Sequence, residues 1–124
     1  MNTPTGQTVT YYSIQRPSAQ SAPSPQEPDS EWVSIDVQVC YDATALNFDN
    51  NQSWVLIDDN NGNYGPSNTG YSQFPAPKFP FGDITVVAGQ CIRGWIVYPV
   101  LVDATIVNIA YLPYGATSPV RWTP

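Results

Sequence analysis

Residues 32–42 read Trp-Val-Ser-Ile-Asp-Val-Gln-Val-Cys-Tyr-Asp, and this stretch decides the fold. Apolar and polar side chains alternate along it with a period of two. Because successive side chains of a β-strand point to opposite faces, the alternation predicts a strand with one buried side and one polar side. The predicted buried side carries Val33, Ile35, Val37 and Val39, and the polar side carries Ser34, Asp36, Gln38 and Cys40.

Outward from this strand, further short stretches have the composition of strands. They are residues 7–14, 53–58, 84–87, 91–100, 104–112 and 119–123, with a short return strand beginning at Tyr64. Asn61-Gly62 predicts a tight hairpin turn, whereas residues 43–53 predict a polar connection. No stretch has the period of a helix. The pattern predicts an all-β fold, an immunoglobulin-like antiparallel β-sandwich of about 7–8 strands.

Two proline-containing segments separate these strands. Residues 16–30 are rich in Pro, Ser and Gln and cannot join the interior of a sheet. Residues 65–83 combine prolines with aromatic residues and predict an extended crossing between two sheets. We therefore expect a single domain, with an N-terminal strand and Pro-rich loop over residues 1–31 and the sandwich core over residues 32–124.

The composition argues against several classes of partner. The chain has 10 acidic and 4 basic residues, which gives a formal net charge of −6. Nucleic acids and anionic membrane surfaces are bound mainly through lysine and arginine, so this balance argues against both. The sequence has no run of about 18 apolar residues, and we predict no membrane insertion. Residues 1–6 have neither a basic start nor an apolar run, and we expect the numbering to begin at a mature or trimmed end.

The two cysteines, Cys40 and Cys91, both lie in predicted strands. We predict a disulfide between them, since the chain is acidic, poor in lysine and typical of a secreted protein. The alternative is a pair of buried thiols. Cys40 falls on the polar side of its strand, so the bond is expected to join neighbouring strands, or a strand and a loop, rather than to cross the core. A disulfide places the protein outside the cytoplasm.

The second half of the chain carries a resemblance to a known family. Its most specific part is Gly89-Gln90-Cys91-Ile92-Arg93-Gly94-Trp95, followed by Tyr111-Leu112-Pro113 and Arg121-Trp122. Over residues 32–124 the sequence resembles the small immunoglobulin-like domain of actinobacterial secreted proteins and lipoproteins, and it is similar to the mycobacterial secreted immunoprotective antigen family. The resemblance implies a secreted immunoglobulin-like domain, and it supplies no catalytic residues.

Most residue patterns of common enzyme chemistry are missing, and the adjacent carboxylates Asp58 and Asp59, which would face opposite sides of a strand, are an unconvincing glycosidase pair. The sequence has no histidine, which excludes Ser-His-Asp and Cys-His sites and most zinc enzymes. It also has no Gly-rich loop for phosphate. We predict no catalytic residues and no cofactor. Asp58 and Asp59, which precede Asn60-Asn61-Gly62, are a weak candidate for a calcium site, and a simple hairpin turn is the favoured interpretation.

The candidate binding residues are mostly aromatic. Exposed rings stack on sugars or fill a partner's pocket, but the same rings can instead fasten a loop to the sandwich. Arg93 is either a cation that faces a ligand or a side chain that packs on an aromatic ring and pairs with an acid. Trp54 and Trp95 lie in aliphatic strands and are predicted in the core. The candidates for binding are Tyr64, Tyr71, Phe74, Phe79, Phe81 and Arg93.

These observations predict a non-enzymatic extracytoplasmic module that contacts another protein at the cell surface or in a secreted assembly. One alternative is a carbohydrate-binding module that holds a glycan on Tyr64, Tyr71 or Trp122. A second alternative is a structural subunit of a virion or surface appendage, since a fold by itself does not define a function.

Overall fold

The structure, a computed structural model, describes residues 7–41, 45–47, 51–80, 84–86, 89–112 and 118–124. In these residues the only helical element is a 3-10 turn, Asn51–Ser53, and no helix is long and apolar enough to span a membrane. The strands are β1 (Gln7–Gln15), β2 (Ser30–Tyr41), β3 (Ala45–Asn47), β4 (Trp54–Asp58), β5 (Asn63–Tyr64), β6 (Ile84–Val86), β7 (Cys91–Leu101), β8 (Ile106–Tyr111) and β9 (Val120–Trp122).

Two antiparallel sheets form the body of the molecule. One has three strands in the order β1-β2-β7, and the other has four strands in the order β5-β4-β8-β9. This confirms the predicted all-β sandwich. β3 pairs with β6 in a separate ladder, so the polar connection predicted over residues 43–53 was wrong at β3. The sequence of that segment did not indicate a strand, because the strand that pairs with it is distant in the chain.

The core lies between the inner faces of the two sheets. The four aliphatic side chains predicted for the buried side of β2 are all completely buried. Trp54 and Leu56 of β4 and Ile109 and Tyr111 of β8 face them from the other sheet. The Tyr98 hydroxyl of β7 donates a hydrogen bond of 2.8 Å to the main-chain oxygen of Trp54 and so joins the two sheets. Burial raises the pKa of Tyr98 well above its ordinary value.

The outer face of β2 is more buried than its polar residues predicted. Ser34 is completely buried against Ser18 of the Pro-rich loop, and Asp36 is nearly buried in its pair with Arg93 of β7. A second apolar cluster forms there from Trp32, Phe74 and Val97. Trp95 also lies on the outer face of its strand and is only partly buried, so its predicted core position was wrong, whereas that of Trp54 is confirmed.

The disulfide links Cys40 to Cys91, which are directly opposed residues of β2 and β7. Both the bond and its predicted placement are confirmed, since it joins neighbouring strands of one sheet and does not cross the core. The bond closes the last residue pair of the longest ladder in the described chain, which runs from the pair Ser30–Leu101 to Cys40–Cys91.

The crossing segment passes over the edge of β7 that is not paired with β2. The amide of Phe79 donates to the carbonyl of Trp95 at 3.0 Å, and the amide of Trp95 donates to the carbonyl of Pro77 at 2.9 Å. Gly94 makes this approach possible, since a Cβ there would lie 2.6 Å from the Lys78 carbonyl carbon and 2.7 Å from Phe79 Cα. The segment thus carries Phe74 on the outer face and Phe79 into the core.

We expect Gly94→Ala to lower the free energy of unfolding by about 1–3 kcal/mol, because the new methyl group overlaps backbone that cannot move without breaking the edge contacts. Gly65→Ala is the matched control, since a Cβ at Gly65 has no neighbour within 4 Å. The control should be neutral or stabilising by about 0.4–1 kcal/mol. Urea unfolding of both variants measures the difference, and equal stabilities would contradict the close crossing at Gly94.

We expect the Cys40→Ala/Cys91→Ala double variant to be less stable than the oxidised protein by about 2–4 kcal/mol, because the bond restrains the unfolded chain. The two cysteines are 51 residues apart in the sequence. Urea unfolding with and without reductant measures this. Reductant should shift the midpoint of the wild type and leave that of the double variant unchanged. If reductant left the urea midpoint of the wild type unchanged, the bond would add no stability.

Candidate functional site

Arg93 is engaged in contacts within the protein. Its guanidinium binds the Asp36 carboxylate through two hydrogen bonds, with Nε 3.2 Å from Oδ1 and Nη2 2.8 Å from Oδ2. Its Cζ also lies 3.8 Å from the centroid of the Tyr12 ring. Hydrogen bonding to Asp36 raises the pKa of Arg93. This geometry matches the structural alternative considered for Arg93, because both its charge and its flat face are already used.

Two of the candidate aromatic rings are enclosed. Phe74 packs edge-on against Trp32 and Tyr71, with ring centroids 4.9 Å and 5.4 Å apart, and Phe79 lies in the core. Both fasten the crossing segment to the sandwich, and only 7% of Phe74 and 4% of Phe79 is exposed. Phe81 lies outside the described residues.

Asp58 organises the turn between β4 and β5, and the predicted hairpin is confirmed. Its Oδ1 accepts hydrogen bonds from the amides of Asn60 at 2.9 Å and Gly62 at 2.7 Å, and its Oδ2 accepts one from the Tyr64 hydroxyl at 2.9 Å. The bond from Gly62 contributes most to a lowered pKa of Asp58. A Cβ at Gly62 would lie 2.7 Å from Asp58 Oδ2, so glycine leaves the space that the carboxylate occupies.

The metal candidates Asp58 and Asp59 thus lie in a turn whose buried carboxylate, that of Asp58, already has three protein donors. Asp59 is exposed, and its amide donates to the carbonyl of Thr105 at 3.0 Å. In the described part of the chain, no group of three or more acidic or cysteine side chains is placed to hold a metal ion.

Tyr64 and Tyr71, the other two candidates, line one cavity of about 400 Å³. We call it the loop cleft. It lies where the Pro-rich loop and the crossing segment meet the end of β7. Its apolar lining also includes Trp32, Pro66, Pro99 and Leu101, while its polar lining includes Gln26, Glu27, Asn63 and Asn68. Glu27 is the one charged residue among those that line it.

The Pro-rich loop is held in place beside the cleft. The indole Nε1 of Trp32 donates to the carbonyl of Pro23 at 2.8 Å, and the amide of Ser18 donates to the carbonyl of Trp32 at the same distance. The hydroxyls of Ser18 and Ser34 are 2.6 Å apart and buried. Sequence reasoning missed this role of Trp32, because it treated the residue only as the start of a strand.

A turn at the mouth of the cleft presents two aliphatic side chains. Leu101 is 47% exposed and Val102 is 49% exposed. Their backbone is fixed, since Arg16 Nη2 donates to the carbonyl of Leu101 at 2.9 Å and the amide of Val102 donates to the carbonyl of Asp29 at 2.9 Å. Arg16 is itself paired with Glu31 at 3.0 Å. The turn is therefore a rigid apolar projection, which the sequence did not single out.

We expect the stability difference between the wild type and Asp58→Asn to be largest near neutral pH. The folded-state pKa of Asp58 lies below its ordinary value of 3.8, so its contribution is present above that value and is lost as the pH falls through the folded pKa. Thermal unfolding from pH 7 to pH 2 should show the two curves converging below pH 3.8. The control Asp103→Asn, which removes an exposed carboxylate, should follow the wild type. A stability difference between the wild type and Asp58→Asn that stays constant from pH 7 to pH 2 would contradict the lowered pKa.

Comparison with known proteins adds information on the fold. No protein-family model matches the sequence, and no curated protein matches it. Among solved structures, the chain is similar to MPT63, a secreted protein of Mycobacterium tuberculosis, with a TM-score of 0.64 and 13% identity. The match covers 95% of this chain and 82% of that one. The likeness shows a shared fold, and it is in fold that the chain is similar to the mycobacterial secreted antigen family that the sequence resembled.

Proposed function

We propose that the protein is a non-enzymatic, extracytoplasmic immunoglobulin-like module that binds another protein at the loop cleft. Extracytoplasmic location is supported by the Cys40–Cys91 disulfide and by the fold likeness to a secreted protein. The absence of histidine from the sequence supports a non-catalytic role and removes the commonest acid–base catalyst.

One observation carries the binding proposal. Leu101 and Val102 project from a turn that Arg16 and Asp29 hold in place, at the mouth of a cleft lined by Trp32, Tyr64 and Tyr71. Apolar side chains on a fixed backbone lose little entropy on binding, and aromatic pockets beside them are typical of interaction hot spots.

The cleft also indicates the chemistry of the partner. Glu27 is the charged residue of its lining, and the whole chain has a net charge of −6. A partner segment that inserts an apolar side chain into the cleft and places a lysine or arginine near Glu27 is complementary in both respects.

The carbohydrate-binding alternative has weaker support at the residues first considered. The ring of Trp122 stacks on Trp54 with centroids 5.4 Å apart, and Tyr71 packs against Trp32 at 6.2 Å. The Tyr64 hydroxyl is used by Asp58. Burial is the main reason that the pKa of Tyr64 is raised. Each of these aromatic side chains is at least partly committed to contacts within the protein.

The test uses a Leu101→Ser/Val102→Ser double variant. Its matched control is Val107→Ser/Leu112→Ser, which changes a valine and a leucine with 37% and 45% exposure in and next to β8 of the other sheet. Each protein is immobilised and exposed to the secreted and envelope fractions of its natural source. Bound proteins are quantified by mass spectrometry.

We expect wild type and control to retain the same partner and the Leu101/Val102 variant to retain it at least about tenfold more weakly. Exposed substitutions of this kind change stability by less than about 0.5 kcal/mol, so all three proteins should remain folded. Equal retention by both variants, or no specific protein retained by the wild type, would contradict the proposal.

A further inference from the structure

A second cavity lies on the other side of residues 67–69 from the loop cleft. Its volume is about 380 Å³, near the lower end of the range of about 300–1,000 Å³ found for small-molecule sites. Trp95 of β7, Lys78 of the crossing segment and Asn51 of the 3-10 turn contribute to its walls. We call it the Lys78 pocket. It shares residues 67–69 with the loop cleft, but neither Leu101 nor Val102 lines it.

Lys78 gives this pocket a positive charge in an acidic protein. It is the one charged residue among those that line the pocket. Its ammonium lies 3.4 Å from the carbonyl oxygen of Tyr71 and 5.9 Å from the centroid of the Phe74 ring. No carboxylate of the described residues lies within ion-pair distance of it, in contrast to the paired Arg16 and Arg93. The pocket therefore favours a ligand with a negative charge.

Asn51 adds an acceptor that lacks a donor. Its side-chain oxygen Oδ1 is buried and has no hydrogen-bond partner among the described residues, whereas its main-chain N–H donates to the carbonyl of Pro80 at 3.2 Å. Buried acceptors are nearly always paired, so this atom fits a ligand that brings a hydroxyl or N–H group. A simple anion such as a free carboxylate supplies no such donor.

Trp95 adds an aromatic residue to the lining, and the ridge formed by residues 67–69 adds polar groups. Trp95 as a whole is partly buried, so part of its surface is open to a ligand. Ser67 Oγ donates to the carbonyl of Thr69 at 2.9 Å and accepts from its amide at 3.1 Å, which keeps the ridge in one conformation. A ring with an apolar face and equatorial hydroxyls packs well on such a wall.

We propose that the Lys78 pocket binds an acidic sugar, whose carboxylate is placed at the Lys78 ammonium, whose hydroxyl donates to Asn51 Oδ1 and whose ring lies against Trp95. A neutral sugar satisfies two of these three contacts, and a small carboxylate satisfies one. Tyr64, Tyr71 and Trp122, which the sequence indicated for glycan binding, are not among the residues that line this pocket.

The probes are sodium D-glucuronate, D-glucose as the uncharged sugar, and sodium acetate as the carboxylate alone. Each is titrated at constant ionic strength into the ¹⁵N-labelled protein, and NMR shifts are followed. We expect glucuronate to shift the indole N–H of Trp95 and the amides of residues 67–70. Glucose should bind at least about tenfold more weakly, which corresponds to the loss of one charge-assisted contact.

Two variants separate the contacts. Lys78→Met should remove the preference for glucuronate over glucose, whereas Asn51→Ala should weaken both sugars and keep the preference. Arg121→Met is the matched control, because Arg121 also has no ion pair among the described residues and does not line the pocket. It should bind like the wild type.

Three results would overturn the proposal. They are no shifts with glucuronate, the same shifts and affinity with acetate, and an unchanged preference in Lys78→Met. A variant whose amide spectrum shows that it is unfolded is replaced by Lys78→Gln or Asn51→Ser. The Leu101→Ser/Val102→Ser protein should still bind glucuronate, so failure of one proposal is distinguishable from failure of the other.

Discussion

The antiparallel pairing of β2 with β7 is the interaction on which the rest of this structure depends. It runs without a break from Ser30–Leu101 to Cys40–Cys91. Its register sends Val33, Ile35 and Tyr98 to the core and places the disulfide and the Arg93–Asp36 pair on the other face. A shift of one residue would exchange the two faces, burying a charged pair and exposing the aliphatic row. The core, the disulfide and the outer-face contacts therefore all favour the same register.

The free edge of β7 shapes both cavities. The crossing segment covers this edge through the hydrogen bonds between Trp95 and residues 77 and 79, and the amide of Ser67 donates to the carbonyl of Val97 at 2.8 Å. An uncovered edge would be open to pairing with other chains. The crossing segment covers it by passing close over Gly94 of β7 instead of pairing along it as a regular strand, and this leaves space on either side of residues 67–69. The loop cleft and the Lys78 pocket occupy that space.

The basic residues differ in whether they form ion pairs within the protein. Of the four basic residues, Arg16 and Arg93 hold a loop and a strand face through Glu31 and Asp36. These pairs are partly shielded, and each also supports backbone or aromatic contacts, which makes their role more structural than that of an isolated surface pair. Lys78 differs from them because it borders a cavity and has no acid beside it in the described structure. The two cavities differ chemically because Lys78 is the charged residue that lines one and Glu27 is the charged residue that lines the other.

The sequence by itself determined the sandwich class, the buried row of β2, the Asp58 turn and the disulfide. These follow from local alternation, from the demands of a tight turn and, for the disulfide, from an acidic, lysine-poor composition, with its placement given by a cysteine that lies off the apolar face. Tertiary structure alone decided which aromatic rings are enclosed, that Trp95 faces outward, and that Leu101, Lys78 and Asn51 border cavities. The physical reason is that a period of two assigns a side chain to a face but does not say what covers that face. Loops that are remote in the chain supply the cover, and their path depends on contacts such as the passage over Gly94, which no local pattern encodes.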